Sequence, residues 1–306
     1  MRQVGAVSRV AAAKTSLSEG TPICIGGGDQ QCAAVGAGVI QEGLAEITVG
    51  TSAVMVAHVN GLKADLDKTV FFGGHAIPGK WDMEGIALSS GVCLRWWRDN
   101  FGQVEKEAAA QLGVDTYDLI CLEASKAPAG CKGYIFFPFF QGQSAPHYHD
   151  HARGGSIGLS LVHDRSMMAR SVLEGTAYEL QMIVKSMEGV LRRPFESLRI
   201  TGGGAKSLLW MQILADVFGR PVDLLEVPEC TTLGAAILGA VGAGVFKNIQ
   251  EGVDSMVRLD RTLEPLSGRA MMYAEMFECF ESTFRALRDC GVYEKLRKVS
   301  DRYWGE

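Results

Sequence analysis

Apolar residues fall along this chain in two rhythms that change near residue 90. Before that point they come as short β-branched or aromatic runs, at 21–25, 47–49, 53–59, 70–75 and 81–88, separated by Gly, Asn and Pro. Runs of this length between turn formers predict strands, the last four of them consecutive and antiparallel. The first run ends in Gly26-Gly27-Gly28, after which Asp29 opens a helix-like segment at 30–38, so the expectation is a strand, a tight turn and a helix start. From Gly91 the spacing is helical to about residue 125, with Trp96 and Trp97 on a helix that ends near Gly102. Neighbours on a helix point in different directions, so one tryptophan is expected in the core and the other at the surface or in a pocket.

Residues 134–140 predict a buried strand and 141–155 a loop. The clearest helix begins near Ser166, where Ala169, Val172, Leu173, Ala177, Leu180 and Val184 share one stripe. A strand at 198–201 runs into Gly202-Gly203-Gly204, followed by a helix at 208–218, a strand at 221–225 and an Ala-rich helix from Thr232. This is a β-α-β-α unit. A helical remainder is centred on 271–287, and no low-complexity linker or sustained repeat interrupts the chain. Beyond the first forty or so residues it reads as one α/β domain.

Composition narrows what such a domain can do. With 306 residues, 47% of them hydrophobic, the chain can bury a sizeable core. A net charge of -5, with Lys and Arg scattered, offers nothing to neutralise a nucleic-acid backbone or an anionic membrane. The most membrane-like stretch, 231–246, is shorter than the ~20 apolar residues a bilayer requires and reads as a buried helix. Eight cysteines lie mostly in apolar segments without a zinc or redox spacing, and the first residues lack a signal-peptide pattern, so a cytoplasmic location is expected.

Three glycine-rich turns stand where strands end, and there main-chain N–H groups can approach an anion with no side chain in the way. In the first, Asp29 could take a proton from an attacking hydroxyl, or it could cap the helix that follows; one carboxylate can serve both roles. The second, Gly50-Thr51-Ser52, offers hydroxyls and amides to phosphate oxygens and equally suits an ordinary hairpin turn. The third, Gly202-Gly203-Gly204-Ala205-Lys206-Ser207, lacks the Gly before Lys that a Walker A loop needs. Its glycine spacing, with Asp223 or Glu226 following, also admits a dinucleotide-binding reading, although Ser207 replaces the last glycine. His147, His149, Asp150 and His151 alternate in a loop with no helix or turn to fix ligand geometry, and Arg95 and Arg98 could meet phosphates or simply be solvated.

The order of the motifs adds to this. Gly-Gly-Gly-Asp-Gln-Gln from Gly26, Thr-Val-Gly-Thr-Ser from Thr48, His-Ala-Ile-Pro-Gly from His75, Ala-Arg-Ser-Val-Leu-Glu-Gly from Ala169 and Ile-Thr-Gly-Gly-Gly-Ala-Lys-Ser from Ile200 follow one another along essentially the whole chain. This succession closely resembles FGGY carbohydrate kinases, with xylulokinase-like members nearest in flavour.

The resemblance implies an actin-like ATPase fold, with two ribonuclease-H-like lobes clasping MgATP and a sugar or polyol deeper in the cleft. It implies that Asp29 is the general base, that Gln30 touches the sugar, and that Gly50 and Thr51 form the second phosphate loop. By the same token Gly91, with Arg95 one turn on, makes a further nucleotide contact, and Gly203, Gly204, Ala205 and Ser207 hold the adenosine. Gln141-Gly142-Gln143-Ser144-Ala145-Pro146 departs from the Gly-Glu-Arg-x-Pro of many members, so the sugar is not carried over. A full member has about as much sequence again before Asp29. Residues 1–42 are therefore expected to be the end of an N-terminal lobe, and 43–306 the C-terminal nucleotide-binding lobe. The absent part would hold the first phosphate loop, the magnesium-positioning acid and most sugar contacts. A lone lobe offers half a cleft and is expected to turn over sugar poorly, and its exposed, partly apolar wall favours association of two copies.

Overall fold

The computed structural model describes residues 2–305. The chain opens with β1 (Gln3–Ala6), α1 (Arg9–Thr15), β2 (Pro22–Cys24) and α2 (Asp29–Gly36). It continues with β3 (Leu44–Val49), β4 (Ala53–Val59), β5 (Phe71–Gly74), β6 (Trp81–Ala87), α3 (Gly91–Phe101), α4 (Gln103–Leu112) and α5 (Thr116–Ser125). Then come β7 (Ile135–Phe137), β8 (Gly155–Ile157), α6 (Arg165–Leu191), β9 (Ser197–Thr201), α7 (Leu208–Phe218), β10 (Val222–Leu225) and α8 (Cys230–Gly242). The last elements are α9 (Ile249–Met256), β11 (Leu259–Leu263), α10 (Arg269–Asp289) and α11 (Val292–Trp304).

Seven strands form one mixed sheet in the order β11-β10-β9-β3-β4-β6-β5. β3, β9 and β10 are mutually parallel, and the flanking pairs β3–β4, β4–β6, β6–β5 and β10–β11 are antiparallel. Alternation along β3 and β4 explains how both faces are covered. Ala45, Ile47, Val49, Ala53, Met55 and Ala57 join the large core beneath α3, α6 and α7, while Leu44, Val54 and Val56 turn to the other face and meet Ala33 and Ala34 of α2 and Ala37 just past its end. α2 in turn packs along α8. α10 closes the large core with Tyr273, Phe277, Phe280 and Phe284 on one stripe, Phe280 stacking on Phe137 at 5.0 Å.

Several expectations change in detail. The strand expected at 21–25 does not enter the main sheet; β2 pairs only with β1, as a small ribbon exposed along its length. The run of consecutive hairpin neighbours is broken because β6 inserts between β4 and β5: the seven-residue β6 covers all of β4, whereas β5 has four residues and pairs at the rim. Residues 134–140 yield only β7, since Pro138 has no N–H to donate and ends the pairing. As for the tryptophans, Trp97 is buried and Trp96 half-exposed, edge-on to Phe101 and Phe140.

Candidate functional site

Three chain segments meet at one end of the sheet. The turn Gly50-Thr51-Ser52 joins β3 to β4 and closes with a bond from Gly50 N–H to Ser52 O of 2.9 Å. The start of α3 is fastened directly onto it: Gly91 N–H donates to Gly50 O at 2.8 Å, and the N–H groups of Ser90 and Val92 both donate to Thr51 O at 3.0 Å. Beside them β9 ends at Gly202, whose φ of 79° lies where a side chain is disfavoured and lets the chain turn back over β3. Ser207 then caps α7, its hydroxyl accepting from Trp210 N–H at 3.3 Å.

Between these segments and the first turn of α5 lies a cleft of about 580 Å³. Gly50, Thr51, Gly91, Arg95, Gly203, Gly204 and Ser207 all line it. Ala205 does not; its side chain packs inward against the large core. Sequence reasoning missed the opposite wall, made by Asp115, Tyr117, Asp118 and Cys121 of the α5 region with Trp210. There Asp115 caps α5 by accepting from Tyr117 N–H at 2.8 Å, Arg98 donates to Tyr117 Oη at 3.0 Å, and Cys121 Sγ lies 3.2 Å from Ser207 Oγ. A local signal, Asp-Thr-Tyr-Asp, marks the α5 start, but nothing local says that it faces a turn 86 residues away. Of the two arginines, Arg95 faces the cleft, and Arg98 is engaged by Asp99 and Tyr117.

The first glycine turn lies elsewhere. Gly26, Gly27 and Gly28 border a separate hollow of about 470 Å³ together with Gln31, His75 and Pro78. Asp29 is exposed and Gln30 half-buried, and neither forms part of the cleft wall. The N-cap of α2 is Gly28, not Asp29; Asp29 is the first helical residue and its carboxylate accepts only the adjacent Gln30 N–H, at 2.9 Å. A carboxylate there gains from the positive helix end while keeping most of its lone pairs free. Beneath it, Gln31 donates to the buried Asp82 at 2.7 Å, and the carboxyl of Glu84 is pushed up by burial and then by the charges of Asp82 and Asp29.

The remaining candidates resolve differently. Asp223 accepts from Ser197 Oγ at 2.5 Å and Thr262 Oγ1 at 2.6 Å, which ties β10 to its neighbours and takes it out of any ribose-reading role. His149 pairs with Glu294 at 2.9 Å, His151 meets Arg297, and His147 stacks on Phe284, so this loop docks the two C-terminal helices. Among the described residues, no group of three or more His, Cys, Asp or Glu side chains is arranged to hold a metal ion, and no helix is long and apolar enough to cross a membrane.

Residues 45–243 match the FGGY family of carbohydrate kinases, C-terminal domain. The autoinducer-2 kinase of Enterobacter sp. (strain 638) is 34% identical over 286 residues, covering 92% of this chain and 53% of that protein. The xylulose kinase of Staphylococcus epidermidis is 31% identical over 282 residues, covering 92% and 55%. Among solved structures, the xylulose kinase from Rhodospirillum rubrum superposes with a TM-score of 0.77 at 28% identity, covering 94% of this chain and 56% of the other. Gluconate kinase from Lactobacillus acidophilus has the same fold, with a TM-score of 0.84 at 24% identity over 96% and 57%. The chain thus spans about half the length of the curated relatives it matches. With a sheet of this order, helices on both faces and a glycine-lined cleft at the strand ends, the chain belongs to the FGGY family of carbohydrate kinases and carries its C-terminal domain.

Proposed function

We propose that this chain is the nucleotide-holding lobe of an ATP-dependent kinase acting on a sugar or polyol hydroxyl. The observation that carries the reading is the meeting of seven motif residues, Gly50, Thr51, Gly91, Arg95, Gly203, Gly204 and Ser207, around one cleft. Glycine corners supply unobstructed amides for the phosphate end, with Arg95 as the cation beside them. The adenosine end is bounded by Gly203, Gly204 and Ser207 against Tyr117 and Cys121.

Phosphoryl transfer depends chiefly on positioning and charge neutralisation. Asp29 takes the proton from the attacking hydroxyl, and Gln30 beside it orients the acceptor. In this reading residues 1–42 belong with a second lobe of the kind that makes up the rest of the relatives, and 43–306 form the nucleotide lobe. Asp29 stands outside the cleft wall because the reacting groups lie between the lobes. The carboxylates lining the cleft, Asp115 and Asp118, stand on the α5 wall with Tyr117 and Cys121; Mg2+ would come with the triphosphate and neutralise its charge, and in this reading the acid positioning it would belong to the second lobe.

A calorimetric titration of the purified chain with ATP and, separately, with NADH tests the reading. Weak ATP binding with none by NADH is expected, whereas NADH binding without ATP binding would replace the kinase by an oxidoreductase.

A further inference from the structure

A buried carboxyl joins the two strand ends from which the cleft's glycine turns emerge. Glu46 lies at the middle of β3, fully buried on the α2 and α8 face. Its Oε1 accepts hydrogen bonds from the hydroxyls of both Thr48 and Thr201, and those hydroxyl oxygens are 3.0 Å apart. Thr48 is two residues before Gly50, and Thr201 immediately precedes Gly202. The other oxygen, Oε2, is buried without a partner. A short polar contact between parallel strands is replaceable by apolar packing, and an incompletely satisfied carboxyl is a costly way to make one.

We infer that Glu46 is a positioning residue that fixes the spacing of the Gly50–Ser52 and Gly202–Gly204 turns and thereby couples nucleotide affinity to a proton. This rests on the reading of the cleft as a nucleotide site. Burial pushes the Glu46 carboxyl up to about 7, offset in part by the Thr201 and Thr48 bonds. The other titratable or charged groups packed nearby are Cys230 on α8, its thiol pushed up to about 12 by burial and then by Glu46, and Arg199 on β9, which donates to Ala37 O. Polyphosphate bound at the turns above adds negative charge near Glu46 and favours its protonated form. By linkage, affinity is higher below pH 7 and falls as pH rises through it.

The test compares wild type, Glu46→Gln and Glu46→Met in two measurements. In the chain without nucleotide, amide hydrogen exchange at both turns should quicken together in Glu46→Met, by about tenfold, and stay near wild type in Glu46→Gln, whose amide still accepts from the threonines. In ATP titrations from pH 6 to 8, wild type should lose about three- to tenfold more affinity than Glu46→Gln, which keeps the titration of ATP itself but not that of the carboxyl. Equal pH dependence in wild type and Glu46→Gln, or exchange that changes at neither turn, overturns the inference, and the Gln comparison still decides should Glu46→Met fail to fold. If no form binds ATP, the nucleotide reading and the proton coupling fall together, and the exchange result alone decides whether Glu46 fastens the turns.

Discussion

Gly36 of α2 and Gly234 of α8 touch backbone to backbone. A Cβ built on Gly234 would lie 1.8 Å from the carbonyl oxygen of Cys32, and one on Gly36 would lie 2.0 Å from that of Cys230. Since main chain cannot swing aside as a side-chain tip can, this crossing fixes how α2, and with it Asp29, lies on the sheet.

Gly234→Ala should therefore force the two helices apart and cost about 1–3 kcal/mol or more, as overpacking does. Urea denaturation checks the stability. Under the proposed function, with a second lobe of the kind that makes up the rest of the relatives supplied alongside, the same variant should lose turnover more than nucleotide affinity, because the displaced element carries Asp29 while the cleft residues sit on other elements.

Asp29 and Arg95 should separate kinetically. With Asp29 as the base proposed above, Asp29→Asn is expected to lower turnover by about 10²- to 10⁴-fold with ATP affinity little changed. Arg95→Ala, on the cleft wall, should instead weaken ATP binding and reduce its salt dependence. Kinetics of the chain supplied with a second lobe of the relatives' kind, together with direct ATP titration, distinguish the two, and a loss of ATP affinity in Asp29→Asn equal to that in Arg95→Ala would refute the assignment.

A buried ionic network inside the large core should be sensitive to loss of one member. Arg170 donates to Glu174 at 2.6 Å and to Tyr273 Oη at 2.9 Å, Tyr273 donates to Glu174 at 2.6 Å, and Gly130 N–H donates to it at 3.0 Å. Glu174→Ala strands the guanidinium in a site 3% exposed, so a loss of about 3–5 kcal/mol is expected in urea unfolding.

Stability should fall as pH rises above neutrality. Burial alone pushes Glu179 well above its ordinary 4.5, and both its oxygens lack partners. A carboxyl whose folded value exceeds its unfolded one keeps its proton in the native state after the unfolded chain has released its own, so stability declines from about pH 4.5 upward. Glu46, at about 7, acts the same way. His75 and His147, both pushed down to about 4 chiefly by burial, act oppositely, raising stability with pH between about 4 and 6.5. Above that window the carboxyls decide the sign. Glu179→Gln should consequently raise the urea midpoint relative to wild type more at pH 8 than at pH 5, and an equal effect at both would count against the buried proton.

Local order was largely legible from residue types. The run at 53–59 and the stripe at 208–218 coincide with β4 and α7, because a period of two or of 3.6 is imposed by the chain's own geometry. The glycine turns were equally legible, since a corner at a strand end requires residues without side chains there. What escaped was every choice among distant partners. Tyr117 and Cys121 gave no local sign of facing Ser207, and Glu46 gave none of joining Thr201 155 residues later.

The sequence by itself determined most of the segments that are strands, helices and corners, though not β1, α1, β8 or the edge strand β11, which lies where a helical remainder was expected, and through the order of its motifs the family. Only the tertiary structure decided that seven of those residues line one cleft while Asp29 stands apart on a helix held by two glycines. The physical reason is that periodicity and turn chemistry act between neighbours in the chain. Sheet order and helix crossing are instead settled by which faces bury most apolar surface together, a property of the packed whole.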